Sequence, residues 1–142
     1  MSAPKYVAIH EAAHAVMARV LGGYAEGISL IAEETLGVIP GCRVAWPADG
    51  DDWTREKLIV AAAGPAATAI YRHCSLDAAI WTTGTSDWHY MKKLGSTDIS
   101  WFREASRLCR RHWPAVLAVA NAARPRGHLC EAEIVSAMKG AP

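Results

Sequence analysis

The sequence contains no long hydrophobic segment and no strong excess of charge of either sign. Near the middle of the chain, the longest run without a charged residue extends from Leu58 to Tyr71, whereas a helix that crosses a bilayer needs about 20 apolar residues. The amino terminus has none of the basic, apolar and cleavage regions of a secretory signal. A formal net charge of +1 provides no electrostatic surface for nucleic acid. We therefore expect a cytoplasmic protein that binds neither membranes nor nucleic acid.

Closely spaced cysteine pairs are also absent. The four cysteines form no Cys-x-x-Cys pair, so we expect reduced thiols rather than a structural zinc site built from cysteine. A chain of 142 residues of which 51% are hydrophobic is large enough to bury a core without covalent crosslinks. The sequence therefore predicts a single domain over residues 1–142, with no linker.

The most informative segment that is present lies close to the amino terminus. Residues 10–14 read His-Glu-Ala-Ala-His, within an apolar stretch from Tyr6 to Leu21. On a helix, His10 and His14 project from one face, one turn apart, which suits two imidazole ligands of a zinc ion. Glu11 lies beside the same ion and is well placed as the general base in metal-assisted peptide hydrolysis. A purely structural polar cluster is the alternative, but burying these side chains without partners would cost several kcal/mol.

Local patterns predict a mainly helical α+β fold with a small sheet. Pro4 suits a first helical turn and Gly22-Gly23 ends a helix, so the first helix should run from about residue 3 to 21. Between Ile28 and Trp46, short apolar runs are separated by turn residues, and one such run lies at Leu36 to Ile39. These runs predict two or three strands beside the motif helix.

The remainder of the chain is predicted to be largely helical. A second helix covers residues 53–72, with a bend at Gly64-Pro65 that divides it into two pieces, because proline in a helix interior costs about 3 kcal/mol. Residues 82–91 read as a loop with helix-starting residues at Thr85-Ser86, which puts Asp87 in a first helical turn. Two further helical regions are predicted at residues 98–123, bent or split by Pro114, and at residues 131–139.

A catalytic zinc site needs a third protein ligand as well as an open position. The extended pattern His-Glu-x-x-His-x-x-Gly-x-x-His is absent, because Met17 and Val20 occupy the positions of its glycine and last histidine, and this excludes the metzincin class. Spacing alone does not choose among the candidate ligands further along the chain. They are Glu33, Glu34, Glu56, His73, Asp87 and His89.

The chain resembles the peptidase domain of FtsH-type proteases over nearly its whole length. Residues 8–16 (Ala-Ile-His-Glu-Ala-Ala-His-Ala-Val) are similar to the family's His-Glu-Ala-Gly-His-Ala. Residues 61–67 (Ala-Ala-Ala-Gly-Pro-Ala-Ala) are similar to its Ala-Gly-Arg-Ala-Ala-Glu-Glu, and residues 82–87 (Thr-Thr-Gly-Thr-Ser-Asp) to its Thr-Gly-Ala-Ser-Asn-Asp. Residues 129–135 are similar to the entry of the family's closing helix. The third of these elements is the most discriminating, because the zinc motif is shared by many peptidases.

The resemblance implies a zincin-like peptidase domain that binds zinc. It makes Asp87 the third zinc ligand beside His10 and His14, with Glu11 as the catalytic base and a polypeptide as the substrate. A simple helix cap is the alternative role for Asp87. His89 is a weaker alternative, either as a ligand or as a donor to the oxyanion.

The chain also departs from the family. Pro65 replaces an arginine and Thr68-Ala69 replace two acidic residues, so the ion pairs of those residues are absent. Neither a phosphate-binding Gly-x-x-x-x-Gly-Lys-Thr loop nor a preceding membrane anchor is expected. The resemblance therefore implies an endopeptidase that acts without ATP on extended segments, unless a separate ATPase or self-association contributes. A non-catalytic zinc-containing module that binds extended segments or a partner protein is the alternative, and the retention of Glu11 argues against it.

Overall fold

The computed structural model describes residues 3–31, 40–48 and 52–141. Over these ranges the chain forms seven helices and three strands, so the fold is mainly helical α+β, as the sequence predicts. In chain order these elements are α1 (Lys5–Val20), β1 (Tyr24–Ser29), β2 (Gly41–Ala45), α2 (Thr54–Arg72), α3 (Leu76–Thr83), α4 (Thr85–Leu94), α5 (Ile99–Arg111), α6 (Trp113–Arg126), β3 (His128–Cys130) and α7 (Glu131–Lys139).

Helix α1 carries the His-Glu-Ala-Ala-His motif through the core. It begins directly after Pro4, and it ends before Gly22, whose φ of +99° favours glycine. Every residue from Ala8 to Met17, and the following Ala18, is buried, as expected for a helix that is apolar on all faces. α1 packs mainly against α2 and α6, and also against β1. The predicted bounds of 3–21 agree with this helix to within two residues.

The three strands form an antiparallel sheet in the order β2-β1-β3. β1 begins at Tyr24, earlier than predicted, and its Ile28 is opposite Cys42 of β2 and Leu129 of β3. Ile28 and Leu129 are both buried. The sheet therefore contributes to the core beside α1, which is where the sequence predicts it.

The sequence predicts the strands only in part. β2 falls within the predicted region, whereas the predicted strand at Leu36 to Ile39 lies outside the described residues, as do the candidate ligands Glu33 and Glu34. β3 was not predicted, because it has only three residues and no alternating pattern. It adds to the sheet because Gly127, with a φ of +77°, ends α6 and its carbonyl accepts a hydrogen bond from the Leu30 N–H at 2.8 Å.

The predicted division of the second helix at Gly64-Pro65 is wrong, because α2 is one continuous helix through Pro65. Proline removes a single backbone hydrogen bond, and here tertiary packing compensates for that loss. Pro65 is fully buried and contacts Gly84, so closely that a side chain on Gly84 would collide with its ring. Residues 58–69 of α2 are all buried between α1, α4 and α5.

The later helices agree better with the sequence. Pro114 splits the predicted region 98–123, since α5 ends at Arg111 and Pro114 lies in the first turn of α6. α6 continues beyond 123, and α7 has the predicted bounds. α3 was not predicted, but Asp87 does lie in the first turn of α4. Within the described ranges, no helix has the length and apolar character required to cross a membrane.

Candidate metal centre

The two motif histidines turn the same ring atom toward one point. Nε2 of His10 lies 3.1 Å from Nε2 of His14, and the rings meet edge to face with centroids 4.8 Å apart. Both residues are buried, with exposed fractions of 6% for His10 and 8% for His14. Two imidazole nitrogens brought this close in an apolar interior need a shared partner, because an unsatisfied polar group there is costly.

Asp87 completes a triangle with these nitrogens. Its Oδ2 lies 2.9 Å from Nε2 of His10, and its Oδ1 lies 3.3 Å from Nε2 of His14. A tetrahedral zinc ion with ligand bonds of about 2.0–2.1 Å separates its ligand atoms by about 3.3 Å. The three separations of 2.9–3.3 Å therefore match the edges of such a site.

Glu11 is the second carboxylate of the cluster. Its Oε1 lies 3.6 Å from Nε2 of His10, and the potential ligand atoms of His10, Glu11 and His14 all lie within 4.8 Å of one another. Glu11 thus competes with Asp87 for the position of third ligand. Asp87 fits better, because it contacts both imidazoles directly. Glu11 instead keeps its Oε2 buried with no hydrogen-bond partner among the described residues, as a group that receives a proton from a bound molecule would.

Helix α2 orients both rings through their other nitrogen. Nδ1 of His14 donates to the carbonyl oxygen of Val60 at 2.7 Å. Nδ1 of His10 lies 3.4 Å from Oγ1 of Thr68, whose hydroxyl donates to the carbonyl of Gly64 at 2.9 Å. Thr68 therefore accepts from His10, and both Nε2 lone pairs point into the cluster, as metal-binding histidines require. Val60 and Thr68 were not predicted from the sequence, although a single threonine in the alanine-rich stretch 58–69 is a signal for the latter.

The backbone of α2 at Gly64 faces both imidazoles. A Cβ atom built on Gly64 would lie 2.5 Å from Nε2 of His14 and 2.6 Å from Nε2 of His10. Any side chain at this position would collide with both imidazoles, so the position requires glycine. The sequence predicted only a bend at Gly64, although glycine in a helix interior costs about 0.5–1 kcal/mol relative to alanine and so signals a further role.

Burial and mutual contact shape the electrostatics of the cluster. Burial raises the pKa of Glu11, and the nearby His14 and His10 oppose this only in part. Burial alone would also raise the pKa of Asp87, but His14 and His10 hold it below its usual range. For His14, burial favours the neutral form, yet Asp87 raises its pKa to about 9. The cluster therefore favours positive charge between its carboxylates, which is the condition for holding a cation.

The cluster lies at the base of an open cleft with a volume of about 700 Å³. Its walls are formed by β2 with the adjoining Trp46, by the first part of α2, and by residues of α3 and α4 that include Tyr90. A cleft of this size accommodates several residues of an extended polypeptide.

The other candidate ligands lie elsewhere. Oε2 of Glu56 lies 3.7 Å from Nη1 of Arg55. His73 follows the end of α2 with a φ of +53°. His89 is exposed, and its ring meets the Trp88 ring edge to face. Among the described residues, none of these three lines the cleft. The weaker roles considered for His89, as ligand or oxyanion donor, are therefore not supported by its position.

Comparisons with known proteins do not identify a family for this chain. No protein-family model matches it, and no curated protein matches it significantly. The geometry of the cleft and of the cluster at its base therefore carries the functional argument, and the resemblance to FtsH-type peptidases stays a prediction.

We expect Gly64→Ala to weaken zinc binding by about tenfold or more while the protein stays folded. The added methyl group would displace the imidazoles, whereas alanine favours the helix by about 1 kcal/mol over glycine. Calorimetric titration with zinc measures the affinity, and circular dichroism measures the fold.

The matched control for this substitution is Gly140→Ala. Gly140 has a helical backbone, and a Cβ built on it meets its nearest neighbours at 3.7 Å, so zinc affinity should not change. An unaltered zinc affinity in Gly64→Ala would contradict a metal position between α1 and α2.

Proposed function

We propose that this protein is a zinc-dependent endopeptidase with a zincin-like fold that hydrolyses peptide bonds in unfolded or extended polypeptide segments without using ATP itself. The convergence of Nε2 of His10, Nε2 of His14 and the Asp87 carboxylate within 2.9–3.3 Å carries this proposal. The position of the cluster in an open cleft supports access by a substrate. The resemblance of the motif segments to FtsH-type peptidases supports the same reading.

The donor set fits zinc. Two neutral imidazole nitrogens and one carboxylate are a common set of protein ligands for catalytic zinc. His10, His14 and Asp87 would hold the ion, and Oε2 of Glu11, which has no partner within the described ranges, supports a further polar group bound beside them. When bound, zinc would polarise the scissile carbonyl and lower the pKa of a water molecule to about 7.

Glu11 is proposed to move the proton during hydrolysis. Its carboxylate accepts a proton from the attacking water and then delivers it to the departing amine, so that the proton is conserved over the reaction. Burial raises the pKa of Glu11, which brings its proton affinity closer to that needed near neutral pH. The free Oε2 and the adjacent His10 support this role over that of a third ligand.

The shape of the cleft supports an extended substrate. Gly41, Cys42, Val44 and Ala45 of β2 line it, and β2 is at one end of the sheet formed by the described residues. A polypeptide that lies along β2 could add to this edge through main-chain hydrogen bonds, a mode of recognition that is tolerant of side-chain sequence. Folded proteins do not present such segments, so the cleft favours loops, tails and unfolded chains.

The first test combines zinc content with cleavage of casein. Wild-type protein should bind one zinc ion and cleave casein, whereas Glu11→Gln should retain zinc and lose cleavage by at least about 100-fold, because the base is removed and the ligands remain. His14→Ala and Asp87→Ala should both lose zinc. Metal analysis and a gel-based cleavage assay measure these outcomes.

Two controls separate the proposal from simpler explanations. Glu26→Gln changes an exposed glutamate, and Asp77→Ala removes an aspartate from the first turn of α3, just as Asp87→Ala does for α4. If Asp87 only caps its helix, then the two aspartate variants should behave alike and both should retain zinc. Zinc without cleavage in the wild type would favour the non-catalytic binding module, and absence of zinc after reconstitution would contradict the metal site.

A second prediction concerns Tyr90, whose position in the cleft suits a donor to the developing oxyanion. Tyr90 lies one turn after Asp87 on α4 and lines the cleft. We expect Tyr90→Phe to lower kcat by about 100-fold with little change in KM, because the hydroxyl would act on charge that exists only in the transition state.

Steady-state kinetics on a fluorogenic peptide measure this effect. Tyr24→Phe is the matched control, because Tyr24 and Tyr90 both have an exposed fraction of 46% but Tyr24 lies on β1, outside the cleft lining. Equal kcat values for the two variants would show that Tyr90 does not stabilise the oxyanion.

A further inference from the structure

Lys57 is the one lysine or arginine among the described residues that line the cleft. Val60, Ala61 and Gly64 follow Lys57 on α2 by three, four and seven residues, so all four lie on one face of the helix. That face forms a wall of the cleft, and its Gly64 end adjoins the histidines. The cleft thus has carboxylates at its base and one ammonium group on its wall.

The distance between these groups follows from helix geometry. Lys57 precedes Gly64 by seven residues, which corresponds to about 10 Å along the axis of α2. Helical side chains tilt toward the amino terminus, so the ammonium group of Lys57 lies on the side away from Gly64, at about this axial distance from it. An extended polypeptide advances about 3.3 Å per residue, and the ammonium group is therefore about three or four residues from the scissile bond.

Lys57 also lacks a partner within the described part of the chain. Some other cations have one, since Arg72 stacks on Tyr6 and Arg124 donates to the Ala3 carbonyl. No carboxylate oxygen of a described residue lies within 4.0 Å of the Lys57 ammonium. Asp52 precedes α2, and its Oδ1 accepts hydrogen bonds from N–H and Oγ1–H of Thr54. The charge of Lys57 reaches Asp52 only from beyond 4.0 Å. The Lys57 ammonium group can therefore pair with a carboxylate of a bound polypeptide.

We propose that Lys57 selects polypeptides that carry a carboxylate about three or four residues from the scissile bond. The carboxylate is either an acidic side chain or the free carboxy terminus of the substrate, since both present the same group to the ammonium. With zinc bound, Glu11 and Asp87 balance the charge of the ion, so Lys57 is the uncompensated positive charge in the cleft lining formed by the described residues. This inference rests on the proposed function, because it defines the substrates of the same site.

The test measures binding rather than cleavage. Zinc-loaded Glu11→Gln is titrated into fluorescein-labelled decapeptides of alanine, valine and serine that carry one glutamate at successive positions, and into matched peptides with glutamine. Each peptide is prepared with a free and with an amidated carboxy terminus. Fluorescence anisotropy gives Kd. We expect the best glutamate peptide to bind about threefold to tenfold more tightly than its glutamine counterpart, with a difference that shrinks as salt increases.

Variants of Lys57 in the same Glu11→Gln background locate the effect. Lys57→Met should abolish the difference in affinity between the glutamate and glutamine peptides, and Lys57→Arg should keep it. Lys57→Glu should reverse the difference and should bind a peptide with lysine at the same position most tightly. Lys93→Glu introduces the same charge change at an exposed position of α4 outside the cleft lining, so the preference should remain. If amidation weakens the binding of the glutamate and glutamine peptides alike, and Lys57→Met removes that effect, the group that Lys57 selects is the carboxy terminus rather than a side chain.

Three results would overturn the inference. Equal affinity for all four kinds of peptide, with glutamate or glutamine and with a free or amidated terminus, would exclude selection by Lys57 while casein cleavage by the wild type keeps the proposed function. Failure of every peptide to bind, together with an absence of casein cleavage, would contradict both the inference and the proposed function. A preference that Lys57→Glu leaves unchanged would assign the selection to another group.

Discussion

The close contact of α1 with α2 is the constraint on which the rest of the structure depends. At Gly64 the backbone of α2 comes so near to His10 and His14 that no side chain fits between them. The same approach brings the Val60 carbonyl and the Thr68 hydroxyl within reach of the two Nδ1 atoms. One helix-helix contact therefore builds the core and also fixes the orientation of both imidazoles.

A second contact extends this arrangement to α4. Pro65 follows Gly64 and is buried against Gly84, which is the N-cap of α4. Asp87 lies in the first turn of that helix, so the position of its carboxylate is tied to α2 through the Pro65-Gly84 contact. Proline is unfavourable within a helix as a local choice, yet here it provides a rigid surface that holds the start of α4 beside the histidines.

Burial gives the cluster its chemical character. Two carboxylates and two imidazoles lie within an interior that is otherwise apolar, where each charge is costly unless an opposite charge or a hydrogen bond compensates it. Burial accordingly raises the pKa of Glu11, while the histidines hold the pKa of Asp87 low. The two carboxylates thereby acquire different properties, because Asp87 is suited to holding a cation and Glu11 is suited to accepting a proton.

The motif helix, its histidine spacing and the start of the last helix were predictable from the sequence, because they depend on neighbours within one or two turns. Asp87 was one of six candidates by spacing and was chosen only through a resemblance. Four features were not predictable in this way: the continuity of α2 through Pro65, the strand β3, the approach of Gly64 to the histidines, and the place of Lys57 in the cleft lining. They depend on contacts between residues that are distant in the chain, where packing free energy outweighs local preference.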